Sequence, residues 1–267
     1  MPARKSIPAE LPSPKAIDIA ALRQACLSGE TDLVVVLGPT ASGKTRYAVG
    51  LARQLWPAEI ISADSRQVYR GMDIGTGKDL GEYGEVPYHL TDILPAGAQY
   101  NVFEFQKDFI RTYADIRGRG AVPILCGGTG MYISAVTSGY DFVNRTAHSR
   151  AKPATSRDGL PSKPFFIGTL VSREVRNARI DRRLDARLHE GMVDEIRGLL
   201  DAGVPAETLI SYGLEYKFVT LYLNGQLSYD EMREKLATAI HQFAKRQMTW
   251  FRGMERSGVR IHWTEVR

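Results

Sequence analysis

The sequence predicts an α/β fold, a parallel sheet flanked by helices with a helical C-terminal part. Two observations predict it. Short apolar runs at Leu33–Leu37, Ala58–Ser62, Val122–Cys126 and Phe165–Leu170 have the length and Val/Ile content of strands buried on both faces. Two of these runs end in glycine-rich turns, Gly38–Gly43 and Gly127–Gly130, each opening a helical pattern. Ligands of open parallel sheets gather at such carboxyl-edge turns.

Composition bounds the rest. The 267 residues fit one large or two small domains, and 43% hydrophobic content is ample for a core. No run approaches the roughly 20 apolar residues of a membrane span, so no membrane partner is expected. Met1–Glu30 holds no apolar secretory core, and Cys26 and Cys126 lie far apart without metal-ligand spacing. Both point to reduced thiols and a cytoplasmic protein. Residues 1–140 carry 14 basic and 14 acidic side chains, so the whole net charge of +5 lies in 141–267. A polyanion such as RNA fits that imbalance, and so does an ordinary solvated surface.

In chain order, residues 1–30 read as an N-terminal extension. Four prolines precede a short helix at Asp18–Leu27. Residues 31–140 read as the α/β core. After the first strand comes Gly38-Pro39-Thr40-Ala41-Ser42-Gly43-Lys44-Thr45, then helical spacing at Tyr47, Val49, Leu51, Ala52 and Leu55. Strand, glycine loop and helix together are the context of a phosphate-binding loop. The glycines let backbone N–H groups converge on an anion, and the helix N-terminus adds partial positive charge. Lys44 can reach a terminal phosphate, and the Thr45 hydroxyl can ligate Mg²⁺.

The second strand leads into the polar, glycine-rich stretch Ala63–Lys78, where Asp64 is either a turn residue or a functional carboxylate beside the loop. Residues 79–100 look irregular, with His89 structural. Asn101 caps a helix to about Arg117, and the third strand leads to Thr129, a hydroxyl for the phosphate site. Residues 141–164 are a polar basic loop with almost no apolar content. Residues 165–267 supply a strand, helices and a last strand at Val259–Trp263 that complete the core. Ser172 caps one long helix expected to run to about Ala202. On it Arg176, Arg179, Arg183 and Arg187 step by three or four, as a solvated face or as an anion clamp facing the loop. Ser211–Tyr216 opens another helical segment. Ser228–Glu231 is a capping box for a helix holding Gln242, Phe243, Lys245, Arg246, Gln247, Trp250 and Arg252, basic residues interleaved with aromatics.

Taken together, Gly38–Thr45, Ser62–Lys78, Gly127–Tyr132, Ser172–Leu184, Tyr212–Tyr216 and Gln242–Arg252 make the chain resemble the tRNA dimethylallyltransferases. These are prenyltransferases of the P-loop nucleoside triphosphate hydrolase-like fold. The motifs occur in family order across most of residues 31–263. The resemblance implies transfer of a dimethylallyl group from dimethylallyl diphosphate to N6 of adenosine 37 in tRNA, beside the anticodon. It implies that the loop holds a prenyl diphosphate rather than ATP, with Mg²⁺ near Thr45. Arg183, with Arg179 as second choice, matches the diphosphate-contacting arginine. Asp64 matches the carboxylate that takes the N6 proton, and Thr129 a threonine near the reacting centre. Asp64, Ser65, Arg66 and Gln67, together with Gln242, Lys245, Arg246, Gln247 and Arg252, match segments that contact tRNA. The family's helical insertion between the segments matching Tyr132 and Phe165 is absent, and loop 141–164 stands in its place.

Three other readings remain. A dimethylallyltransferase of free adenine nucleotides (AMP, ADP or ATP) also lacks the insertion. A small-molecule kinase using ATP shares the loop, but a separate Mg²⁺-binding aspartate is not evident. A degenerate RNA-binding relative would not need Lys44, Thr45, Asp64 and Thr129.

Overall fold

The computed structural model describes residues 13–138 and 159–266. In chain order the elements are α1 (Ile19–Ser28), β1 (Leu33–Leu37), α2 (Lys44–Gln54), β2 (Ala58–Ser62), β3 (Tyr69–Arg70), β4 (Tyr88–His89), β5 (Leu94–Pro95), α3 (Val102–Gly118), β6 (Val122–Gly127), α4 (Gly130–Thr137), β7 (Pro164–Leu170), α5 (Arg173–His189), α6 (Met192–Asp201), α7 (Ala206–Tyr212), α8 (Leu214–Leu223), α9 (Tyr229–Arg256) and β8 (Ile261–Glu265). The predicted α/β class is the observed one. Among the described residues, six strands form one sheet in the order β4-β2-β6-β1-β7-β8, every pairing parallel.

β1 lies between β6 and β7, in register from Val34↔Ile124 and Val34↔Phe165, and all five of its residues are buried. Burial on both faces explains why it reads as an unbroken apolar run. On one face Leu33, Val35 and Leu37 pack with Phe105, Phe109, Ile133 and Phe251; on the other Val34 and Val36 pack with Val49, Leu51 and Leu55. A third cluster, around Met192, Leu209, Tyr216, Val219, Met232 and Leu236, is the core of the helical part. The segment before β1 also meets the sheet. Lys15 donates its backbone N–H to the Trp263 carbonyl at 2.8 Å, and Leu22 of α1 is buried.

Caps anticipated from the sequence form where expected. Asn101 and Glu104 make a capping box on α3, as do Ser228 and Glu231 on α9, and the Ser172 hydroxyl caps α5. The Asp18 carboxylate adds a cap on α1. The expected single helix from Ser172 to Ala202 is corrected. It is two helices, divided at Gly191, whose φ of 102° lies in the left-handed region that glycine adopts without penalty. Of the polar stretch 141–164, residues 141–158 lie outside the described residues. Its end is tied to the sheet, because the Asp32 carboxylate accepts from the backbone N–H groups of Ser162 and Lys163 at 2.7 and 2.9 Å.

Candidate active site

The glycine loop leaves β1 and enters α2 through two left-handed residues, Ala41 at φ 60° and Gly43 at φ 79°. Gly38 packs under the neighbouring strand, where a Cβ would collide with the side chains of Thr169 and Ser42. The Ser42 hydroxyl bonds that of Thr169 at 2.7 Å and is fully buried. Thus Ser42 anchors the loop to β7. Thr40, Ala41, Gly43, Lys44 and Thr45 line a cavity of about 740 Å³, whereas Gly38, Pro39 and Ser42 form the loop's inner wall.

The cavity lies at the carboxyl edge of the sheet, and the ends of β2 and β6 supply its next side. Thr129 donates its backbone N–H to the Ala63 carbonyl at 3.2 Å, and its hydroxyl accepts from the Ser65 N–H at 3.1 Å. Asp64 Oδ1 accepts from the Arg66 N–H at 3.0 Å, so Asp64 both forms a turn and lines the cavity. Ser65, Arg66, Gln67 and Thr129 line the same space. Burial lowers the pKa of Lys44, and the Asp64 carboxylate opposes that shift. Behind the lysine, burial pushes the Cys126 thiol up to about 12, so it is an inert packing group.

The helical part closes the cavity. Of the predicted arginine row on α5, Arg179, Arg183 and Arg187 line it and Arg176 does not, so most of this face turns toward the cavity. Arg183 Nη2 donates to the Gly77 carbonyl at 3.2 Å and lies 3.5 Å from the Asp79 carboxylate. The segment bearing Gly77 is itself held by Glu195 of α6. That carboxylate accepts from the N–H groups of Asp73, Ile74 and Gly75 at 2.8, 2.6 and 3.0 Å, and from the Tyr216 hydroxyl at 2.7 Å. Lys78, its side chain fully buried, bonds Asp73, Asp92 and the Tyr69 carbonyl and pins the far end of the segment.

α9 divides its predicted RNA-facing residues. Ile240, Ala244, Gln247, Phe251 and Met254 are buried. Phe243, Arg246 and Trp250 line the cavity, with the Arg246 guanidinium 5.8 Å from the Phe243 ring and Trp250 43% exposed. Gln242 and Lys245 face solvent outside the cavity, and Arg252 sits beside Glu255 at 3.4 Å. Gln247, expected as a tRNA contact, lines the cavity and is also held from within. Its Oε1 accepts from the Thr40 N–H at 2.8 Å and its Nε2 donates to the Gly128 carbonyl at 3.0 Å. Buried and engaged at both ends, this amide ties the two glycine turns together.

The arrangement joins a cationic wall (Lys44, Arg179, Arg183, Arg187) to a carboxylate and hydroxyl (Asp64, Thr129) and a partly aromatic mouth. Such a cavity can hold a polyanionic leaving group and deprotonate an acceptor beside it. Among the described residues no cluster of three or more His, Cys, Asp or Glu is arranged to hold a metal. Sequence reasoning missed Glu195, and it missed Gln247 as a tie. The backbone groups they hold are 119 to 207 residues away, and no local pattern announces such pairings.

The chain matches a family model described as IPP transferase over residues 67–158 and 144–254. It is 50% identical to tRNA dimethylallyltransferase 1 of Porphyromonas gingivalis over 284 aligned positions, covering 88% of this chain and 94% of the relative. It is 49% identical to tRNA dimethylallyltransferase 1 of Parabacteroides distasonis, covering 88% and 92%. Among solved structures, the tRNA isopentenylpyrophosphate transferase of Bacillus halodurans superposes with a TM-score of 0.76 at 31% identity, covering 88% of this chain and 90% of that one. A eukaryotic dimethylallyltransferase acting on tRNA shares the fold, with a TM-score of 0.68 at 22% identity over 82% and 69% of the two chains.

Proposed function

The chain belongs to the IPP transferase family, and on that premise we propose that it transfers a dimethylallyl group from dimethylallyl diphosphate to N6 of adenosine 37 in tRNA. The observation that carries this reading is one cavity lined by the phosphate loop, the arginines of α5, Asp64 and Thr129. The N6 lone pair attacks the allylic carbon, the carbon–oxygen bond breaks, and diphosphate leaves with that electron pair. Charge building on its oxygens is met by loop N–H groups, Lys44 and Arg183. The N6 proton passes to the Asp64 carboxylate. Ser65, Thr129 and Arg66 fix the turn on which Asp64 stands.

The residues present fit a Mg²⁺ site. Thr45 offers a hydroxyl and Glu82 a carboxylate to the same cavity, the small protein share that Mg²⁺ takes when substrate phosphates complete its shell. Bound there, the ion would neutralise phosphate charge.

The family placement favours tRNA over free nucleotides. The 284 aligned positions exceed the 267 residues of the chain, so the relative carries residues that this chain lacks. The two stretches matched to the family model overlap at 144–158. Both facts support an insertion shortened at loop 141–164. The tRNA grip then falls on Gln242, Lys245, Arg246, Gln247, Arg252 and the 64–67 turn, and we place the reaction in the cytoplasm. No described helix is long and apolar enough to cross a membrane. The test is incubation with labelled dimethylallyl diphosphate and either tRNA, AMP or neither. Label in tRNA as N6-dimethylallyladenosine is expected. Rapid, saturable labelling of AMP with unlabelled tRNA overturns the tRNA reading.

A further inference from the structure

Arg187 lines the cavity but has no part in the reaction as derived above. It lies one helical turn after Arg183 on α5. A Cβ on Gly77 would collide with the guanidinium ends of both arginines, so two cations converge over one glycine, at φ 65°. Arg183 is engaged, with the Gly77 carbonyl and the Asp79 carboxylate beside it. Arg187 is not. Its Nη2 is buried and has no hydrogen-bond partner among the described residues. Buried donors are almost always satisfied, so one left open inside a cavity marks a position for an acceptor.

The electrostatics agree. Burial, and then the charge of Arg183, pull the Arg187 pKa down to about 10. The largest opposing charge is that of Glu215, with lesser help from Asp79 and Glu190. Glu215 is itself raised by burial, with Arg187, Arg66 and Arg183 acting against that shift. A small void of about 20 Å³ is lined by Arg183, Arg187 and Glu215 together with Thr40 and Ala41. Arg187 therefore borders the phosphate loop itself.

We propose that Arg187 is a second diphosphate-holding arginine, acting beside Arg183. The idea rests on the reading that a diphosphate occupies the loop. Two guanidiniums side by side repel each other until an anion lies against both. A diphosphate offers a separate phosphoryl group to each and fills the open Nη2. Orthophosphate has one phosphoryl group and gains less from the second arginine.

This role separates binding from folding. Arg187→Met removes a like-charge contact and an unsatisfied buried donor, so the melting temperature of the ligand-free protein should hold or rise. Diphosphate affinity should fall by about 10- to 100-fold, the equivalent of one charge-assisted contact. The experiment is calorimetric titration of the full chain with inorganic diphosphate and with orthophosphate, alongside thermal melting, for wild type, Arg187→Met and Arg187→Lys. The expected pattern is a large loss for diphosphate in Arg187→Met, a smaller one in Arg187→Lys, and little change for orthophosphate. Wild-type diphosphate affinity in Arg187→Met, or a variant that melts early or fails to fold, makes Arg187 a structural strut and overturns the proposal alone. A wild-type protein that binds no diphosphate overturns the reading of the site, and this proposal with it.

Discussion

Gln247 accepts a hydrogen bond from the backbone N–H of Thr40 at 2.8 Å, and through it the longest helix sets the shape of the phosphate loop. Gln247→Leu keeps the bulk but leaves the Thr40 N–H and the Gly128 carbonyl without partners in a buried place. A loss of about 1–3 kcal/mol of stability is expected. Diphosphate affinity should fall as well, because the loop is no longer held. Urea unfolding and calorimetry check both, and a variant that loses neither makes the tie incidental.

Asp64→Asn keeps the turn, since an amide oxygen can still accept from the Arg66 N–H. It removes the base. Single-turnover transfer to tRNA is expected to slow by roughly 10²–10⁴-fold with diphosphate binding intact. Wild-type turnover would leave Asp64 with its turn alone.

Lys44 predicts two opposite pH slopes. Burial lowers its pKa below 10.5, with Asp64 opposing. Between that lowered value and 10.5 the unfolded chain holds the proton more tightly than the folded one. The Lys44 contribution to ligand-free stability therefore rises with pH through this window. Diphosphate affinity falls through the same range, because the cation is lost. Lys44→Met is expected to weaken diphosphate by about 1.5–3 kcal/mol near neutral pH and to lose this pH effect. Calorimetry and melting from neutral to alkaline pH, with wild type compared with Lys44→Met, decide it; parallel curves for the two proteins contradict it.

Lys245 and Arg246 lie on the exposed side of α9, Arg246 at the cavity and Lys245 outside it. If they carry tRNA phosphates, affinity should fall with salt by roughly 0.7–0.9 in log K per phosphate neutralised. Replacing both with alanine should weaken tRNA binding and flatten that slope, leaving diphosphate binding unchanged. Filter binding across a salt series reads the slope, and an unaltered slope removes these residues from the interface.

What the sequence made legible was local. The loop from Gly38 to Thr45 is contiguous, and the caps at Asn101 and Ser228 lie three residues from their partners. The break at Gly191 escaped because apolar spacing continues from α5 into α6, and one glycine inside a helical pattern does not show which φ it adopts. The arginine row on α5 was visible, but its choice between solvent and cavity depends on the Gly77 segment. That segment is placed by Glu195, a partner with no sequence signature.

The tie between Thr40 and Gln247 also bears on how the protein comes into being. The two residues are 207 positions apart. At roughly 5–20 residues per second of synthesis, the loop waits about 10 to 40 s for its brace to leave the ribosome. An unfinished chain thus carries the phosphate motif without the tie that shapes it. Nascent chains stalled before residue 247 are expected to bind diphosphate more weakly than the released protein.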